Sequence, residues 1–156
     1  MNDLIVEFLA SFLIYLMFAG LIVLWFIDGK IKKEQVLHAL FAAFTAYLIT
    51  AIIKLVFPTL RPFRVEDLAP LTFTVPNDGS FPSGHSAEAF AVATTIWLHD
   101  KKWGIVYMLF ALAVGIARVL ANVHYPIDIV GGALTGTLVG VVVEKVHLFR
   151  FFKKRI

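Results

Sequence analysis

Long apolar runs separated by short polar stretches dominate the pattern along this chain. Five such runs cover residues 4–27, 36–57, 83–99, 103–120 and 126–148. About 20 apolar residues cross the hydrocarbon core of a bilayer as a helix. The pattern therefore predicts an all-α fold, a polytopic transmembrane helical bundle of about five spans. The third run is the shortest, and Glu88 weakens its apolar character.

The composition agrees with a membrane protein and excludes several kinds of chemistry. The 156 residues are 60% hydrophobic, above the roughly 45–50% that is usual for soluble domains, and we expect them to form a single domain, residues 1–156. The absence of cysteine excludes disulfides, thiolate metal sites and thiol nucleophiles. The basic residues fall in separate short loops rather than on one long face, so no nucleic-acid partner is predicted.

The positions of the basic residues predict an orientation in the membrane. Cytoplasmic loops are enriched in lysine and arginine. Three basic clusters follow the first, third and fifth runs: Lys30, Lys32 and Lys33; Lys101 and Lys102; Arg150, Lys153, Lys154 and Arg155. In a five-span chain these clusters share one side, which places the amino terminus outside and the carboxyl terminus in the cytoplasm.

The same arrangement brings the remaining polar motifs together at the outer membrane face. Spans two and four end there, and spans three and five begin there. The only long connection, residues 58–81, contains four prolines and the turn signal Asn77-Asp78-Gly79. This connection either forms a lid over the site or rests on the bilayer surface.

Three cations belong to this predicted site: Lys54, Arg61 and Arg118. Each of them alone is typical of an interfacial anchor. Because charge near hydrocarbon is costly, three converging cations without an equal number of acids need an anionic partner. Guanidinium groups match phosphate bidentately and lysine adds a point charge, so the cluster indicates phosphate binding.

Two shorter motifs add groups that can carry chemistry. In Pro82-Ser83-Gly84-His85, Ser83 can cap a helix, Gly84 allows close approach of the backbone to an anion, and His85 can donate a proton. His124 precedes Asp128 by four residues, next to Pro126 at a predicted helix start. Either the carboxylate orients His124 for attack on phosphorus, or Asp128 merely complements the helix dipole and His124 is a loop residue.

The spacing of these motifs resembles the phosphatidic acid phosphatase type 2 superfamily of membrane lipid phosphatases. That pattern reads Lys-x6-Arg-Pro, then Pro-Ser-Gly-His, then Ser-Arg-x5-His-x3-Asp. The chain matches it at Lys54, Arg61, Pro62, Pro82, Ser83, Gly84, His85, Arg118, His124 and Asp128. Two departures are Ala117 in place of the usual serine, which could reduce activity, and five spans where many relatives have six.

The resemblance implies a role for each matched residue. His124 would be the nucleophile that forms a phosphohistidine, Asp128 would orient it, and His85 would protonate the departing lipid oxygen. Lys54, Arg61, Arg118, Ser83 and Gly84 would bind the phosphoryl oxygens. The resemblance implies neither a metal nor a cofactor, so the predicted enzyme is a metal-independent phosphoric monoester or diphosphate hydrolase.

Two features outside the motifs also carry predictions. Glu88 is either an interfacial or interhelical hydrogen-bond partner, or it supports a motif cation or contacts the substrate head group. Gly132, Gly136 and Gly140 form two successive GxxxG spacings. We expect them to seat a neighbouring helix of the same chain rather than to form a dimer.

The predicted function is hydrolysis of a lipid phosphate or diphosphate in a bacterial inner membrane, with undecaprenyl diphosphate as the first choice of substrate. Phosphatidylglycerophosphate, phosphatidic acid and lipid A phosphate are alternatives. A different class, a non-catalytic lipid-phosphate binder or transporter, would need only the cations. The predicted partners are the lipid substrate and the bilayer, and the sequence leaves the oligomeric state open.

Overall fold

A computed structural model describes residues 2–27 and 33–146 as helices and the segments that connect them, with no strand in these ranges. The helices are α1 (Asp3–Phe26), α2 (Lys33–Val56), α3 (Pro62–Glu66), α4 (Gly84–His99), α5 (Lys101–Leu120) and α6 (Pro126–Val146). The prediction of an all-α transmembrane bundle is confirmed. Some predicted features lie outside the described residues, namely the end of the fifth run and the cations Lys30, Lys32, Arg150, Lys153, Lys154 and Arg155.

Within the described ranges, four helices are long and apolar enough to cross a membrane: α1, α2, α5 and α6. The third predicted span is the exception. It folds as α4, whose 16 residues extend only about 24 Å at 1.5 Å per residue. Helix α4 packs against α2, α5 and α6, and nine of its residues are buried. Protein rather than lipid therefore covers most of this helix.

Glycines allow α6 to approach α4 closely. A Cβ atom added at Gly132 would lie 2.4 Å from the Ser83 carbonyl oxygen, and one added at Gly136 would lie 2.1 Å from the Ala87 carbonyl oxygen. Real side chains do not tolerate such distances. The glycines thus bring the two backbones together, which confirms that they seat a neighbouring helix within the chain.

This packing makes Gly136 sensitive to the smallest substitution. We expect Gly136→Ala to lower the free energy of unfolding by about 1–3 kcal/mol, because α6 must move away from the α4 backbone. Thermal unfolding in detergent measures the effect. Val142→Ala is the matched control, since Val142 is 54% exposed on the same helix. An equal effect of the two substitutions would contradict this account of the α4–α6 contact.

The end of α2, the start of α4, the end of α5 and the start of α6 meet at one end of the bundle. The 58–81 connection, which includes the unpredicted α3, is tied down at this end. The Leu71 amide donates to the Ala121 carbonyl at 3.0 Å, and the Phe73 amide donates to Ser11 Oγ at 2.9 Å. The connection is therefore attached both to α1 and to the segment that joins α5 to α6.

Candidate active site

A cavity of about 190 Å³ opens where these helix ends meet. Its walls contain six of the predicted site residues, together with Glu88. The full lining is Tyr47, Thr50, Ala51, Lys54, Arg61, Pro76, Asp78, Gly84, His85, Glu88, Arg118 and His124. Residues that are far apart in sequence thus share one small polar space, as the five-run pattern predicts.

Arg61 is the most connected side chain of the site and is 2% exposed. Its Nη1 donates to the Val123 carbonyl at 2.8 Å and lies 3.2 Å from His124 Nε2. Its Nη2 donates to Asp78 Oδ1 at 2.6 Å, and its Nε donates to the Asp78 carbonyl at 3.0 Å. These contacts fix the guanidinium plane against the histidine.

Asp78 bridges two of the three predicted phosphate-binding cations. Its second carboxylate oxygen accepts from Lys54 Nζ at 2.6 Å, while the first accepts from Arg61. Burial alone would raise the pKa of Asp78, but the hydrogen bonds and charges of Lys54 and Arg61 hold it at about 2. Asp78 is therefore an ionised residue that pairs with two cations of the site. The sequence predicted only a turn at residues 77–79 and did not predict this pairing.

His124 and Asp128 lie in contact, as their spacing predicts. Asp128 Oδ2 is 3.4 Å from His124 Nδ1 and accepts from Ser80 Oγ at 2.5 Å and from the Tyr125 amide at 2.8 Å. Asp128 lies in the first turn of α6, two residues after Pro126. This network assigns the ring proton to Nδ1, which leaves Nε2 as an acceptor toward Arg61.

The electrostatic surroundings keep the His124 ring neutral. Burial lowers its pKa to about 4, with Arg61, Arg118 and Lys54 adding to the effect, although the Asp128 hydrogen bond acts in the opposite direction. At neutral pH the Nε2 lone pair is therefore unprotonated. A neutral imidazole with one oriented nitrogen has the form required of a nucleophile.

Arg118 approaches the cavity from the end of α5 and is 5% exposed. Its Nη1 donates to the Ala10 carbonyl at 3.0 Å, while its Nε has no hydrogen-bond partner among the described residues. The neighbouring Ala117 packs in an apolar cluster with Val6, Ala10, Ala121 and Val123. A serine at position 117 would therefore face apolar neighbours there.

The Pro82-Ser83-Gly84-His85 motif forms the start of α4, as predicted. Ser83 is the N-cap, and its Oγ accepts from the Ser86 amide at 3.4 Å. Gly84 and His85 line the cavity, whereas Ser83 is fully buried behind this lining. Glu88 lies one turn further along α4, on the cavity wall that also carries Lys54.

Comparison with known proteins assigns the family. The model of the PAP2 superfamily matches residues 35–152, which include all ten motif positions. The chain belongs to the PAP2 superfamily. This result confirms the resemblance drawn from the motif spacings, and it extends that resemblance over most of the chain.

Several curated PAP2 relatives are similar over most of this chain. The bacitracin transport permease protein BcrC of Bacillus licheniformis is 33% identical over 86% of this chain and 66% of its own length. The undecaprenyl-diphosphatase BcrC of Bacillus subtilis is 27% identical over 88% of this chain and 71% of its own length. The chain thus spans about two thirds of these relatives.

Two solved structures share the fold. Aquifex aeolicus LpxE superposes with a TM-score of 0.76 at 31% identity, covering 92% of this chain and 85% of its own. The PAP2 type phosphatidylglycerolphosphate phosphatase of Bacillus subtilis gives a TM-score of 0.61 at 28% identity, covering 92% and 68%.

Sequence reasoning missed two contributors to this PAP2 site, Asp78 and Ser80. Both lie in the long 58–81 connection. Aspartate and serine are common in turns, so their presence there did not by itself indicate a role in the site. Their proximity to the Pro82-Ser83-Gly84-His85 motif was the only available signal. Asp78 stands four residues before Pro82 and Ser80 two residues before it, so both enter the site with that motif.

Proposed function

We propose that this PAP2 chain hydrolyses the phosphate or diphosphate of a membrane lipid, with His124 as the nucleophile. One observation carries the proposal. His124 lines the same cavity as Lys54, Arg61 and Arg118, while Asp128 lies against its ring nitrogen Nδ1 at 3.4 Å. A nucleophile, its orienting carboxylate and an anion-binding set of cations therefore occupy one space.

In the proposed reaction, His124 Nε2 attacks phosphorus and the bond from phosphorus to the lipid oxygen breaks. His85 donates a proton to that oxygen, so the lipid leaves as an alcohol or as a monophosphate. Asp128 stabilises the positive charge that develops on the imidazole. Water then attacks the phosphohistidine with His85 as the base, which releases phosphate and regenerates both histidines.

The cations stabilise the phosphoryl oxygens as negative charge shifts during this transfer. Arg118 Nε has no hydrogen-bond partner among the described residues and suits one oxygen, and Gly84 presents its backbone to the same cavity. Preorganised donors of this kind are each worth about 2.7–4 kcal/mol in a transition state. Because protein cations supply this charge, we expect turnover to continue in EDTA.

We propose that the Asp78 carboxylate competes with the substrate phosphate for Lys54 and Arg61. Substrate phosphate has to displace its carboxylate from Lys54 and Arg61, or share them with it. Asp78 is 51% exposed at its side chain and lies in a connection rather than a helix, so it can move away. Its low pKa keeps it charged throughout the physiological pH range.

This competition predicts the effect of Asp78→Asn. We expect inorganic phosphate to inhibit the variant at a concentration about tenfold lower than for the wild type, because a neutral amide competes less well for the cations. Inhibition constants measured on purified enzyme test this. Asp67→Asn is the matched control, an exposed acid of the same connection whose positive φ of 55° suits asparagine. Unchanged inhibition in Asp78→Asn would contradict competition.

An apolar cleft next to the cavity supports a lipid substrate. It is lined by Phe18, Leu40, Ala43, Phe44, Tyr47 and Glu88, and it shares Tyr47 and Glu88 with the cavity. A phosphate head group in the cavity can therefore extend its hydrocarbon chain between α1 and α2. Glu88 stands at the junction, where we propose that it contacts the head group or supports Lys54.

We favour undecaprenyl diphosphate as the substrate, with the active site facing outward in a bacterial inner membrane. The BcrC relative from Bacillus subtilis is named an undecaprenyl-diphosphatase, and the positive-inside rule supports the orientation. Other relatives are named lipid A 1-phosphatase and phosphatidylglycerophosphatase B. Those lipids, together with phosphatidic acid, are the alternatives for the same chemistry.

The deciding experiment is phosphate release by detergent-purified protein in the presence of EDTA. The substrates are undecaprenyl diphosphate, phosphatidylglycerophosphate, phosphatidic acid and lipid A phosphate. We expect release from at least one of them, fastest from undecaprenyl diphosphate. Well-folded protein that binds these lipids without releasing phosphate would instead support a non-catalytic binder or transporter.

A further inference from the structure

A second polar cluster lies at the end of the bundle opposite the candidate active site. It consists of His38 near the start of α2, His99 at the end of α4 and Glu144 near the end of α6. Their side chains are largely buried, with exposed fractions of 4%, 18% and 14%. Three helices thus each contribute one potential metal ligand to the same point.

The distances within this cluster are short. Glu144 Oε2 lies 3.2 Å from His38 Nδ1 and 2.8 Å from His99 Nε2, and one ligand atom from each residue lies within 4.8 Å of the others. His99 Nε2 nevertheless makes no hydrogen bond among the described residues. The 2.8 Å contact still places this ring nitrogen within ion-pairing distance of the carboxylate.

We propose that His38, His99 and Glu144 bind one divalent transition-metal ion of the zinc class. In a tetrahedral zinc site, bonds of about 2.0–2.2 Å place neighbouring ligand atoms about 3.3 Å apart. The two nitrogen–oxygen distances are close to that value, so small outward movements would admit the ion. Two imidazoles and one carboxylate suit zinc and its neighbours better than Mg²⁺ or Ca²⁺, which prefer oxygen ligands.

A metal-bound histidine usually has a hydrogen-bond partner at its second ring nitrogen, and Gln35 can provide one for His99. Its side-chain amide lies 3.0 Å from His99 Nδ1. The atom at this distance is the amide nitrogen Nε2, a donor. Turning the amide over places its oxygen there, where it can accept the Nδ1 proton when His99 Nε2 binds the ion. A bound ion would then link α2, α4 and α6 at the end of the bundle that the active-site contacts do not reach.

Zinc binding to the full chain without a histidine tag tests the proposal. Purified protein is stripped with EDTA, freed of chelator and titrated with Zn²⁺ or with Mg²⁺. We expect one zinc ion per chain and, at a 100-fold excess over the dissociation constant, a rise of about 5 °C or more in the unfolding temperature. The absence of saturable zinc binding, or equal binding of Mg²⁺, would overturn the proposal.

Variants locate the ion, and cobalt provides a direct signal from its ligands. Co²⁺ in the wild-type protein should show the visible absorption of a tetrahedral site, and this band should disappear in Glu144→Gln and His99→Gln. Both variants should bind zinc at least about tenfold more weakly, while His85→Gln should bind it as the wild type does. Undiminished binding by folded Glu144→Gln would place the ion elsewhere and overturn the assignment.

This inference is independent of the proposed phosphatase chemistry. EDTA in the phosphate-release assay would also remove an ion from this cluster. Because the cluster lies at the opposite helix ends, we expect that removal to lower the unfolding temperature and to leave turnover intact. Zinc binding without phosphatase activity, or activity without zinc binding, would separate the two proposals.

Discussion

His124→Ala is expected to reduce phosphate release by about 10⁴-fold or more, because it removes the atom that attacks phosphorus. Effects of this size are typical when a covalent nucleophile is lost. The substitution leaves the phosphate-binding cations in place and removes only the 3.2 Å contact between the ring and Arg61 Nη1. We therefore expect the variant still to bind substrate. Single-turnover phosphate release with the preferred lipid is the appropriate measurement.

A remote histidine is the control for this prediction. His99→Gln changes a histidine at the other end of α4, and its turnover should stay within about threefold of the wild type. Unfolding temperatures of both variants separate lost chemistry from lost structure. Turnover of folded His124→Ala near the wild-type rate would rule out His124 as the nucleophile.

Arg61→Lys is expected to lower kcat/KM by about 10²–10³-fold, although it keeps the positive charge. Lysine cannot reproduce the planar fork with which Arg61 contacts Val123, His124 and Asp78 together. The lost donor geometry affects the transition state most, because that is where charge on the phosphoryl oxygens changes. Steady-state kinetics on the preferred lipid measure the loss.

Arg64→Lys is the matched substitution for Arg61→Lys. Arg64 lies in α3, for which Arg61 is the N-cap, is exposed and donates from its guanidinium to the Asn77 carbonyl at 3.3 Å. We expect a change of less than about threefold in kcat/KM. If both lysine variants lost activity equally, general charge near the connection, rather than the Arg61 fork, would explain the effect.

Most of the helices, and the clustering of the motif residues in one site, could be predicted from the sequence. Both depend on local motifs or on the pattern of apolar residues. Apolar runs placed α1, α2, α5 and α6, and Ser83 was correctly expected to cap α4. The four-residue spacing of His124 and Asp128 correctly predicted that their side chains meet at the start of α6. Such signals need no knowledge of the tertiary structure.

The missed features depend on contacts between distant segments. Asp78 contacts Lys54 although the two residues are 24 positions apart in the sequence. A proline-rich connection has no periodic pattern from which such a contact could be predicted. His38 and Glu144 are 106 residues apart and each resembles an ordinary helix-end residue. That α4 is a membrane span stays a prediction, because hydropathy does not distinguish burial in protein from burial in lipid.

The central claim is that the reaction proceeds through a phosphohistidine at His124, and chemical trapping tests it most directly. The enzyme is mixed with its preferred lipid, labelled in the terminal phosphate, and quenched within one turnover. The account predicts an acid-labile, alkali-stable phosphate that mass spectrometry places on His124 and that His124→Ala lacks. Rapid turnover with no label on the protein, or with label on another residue, would contradict the account.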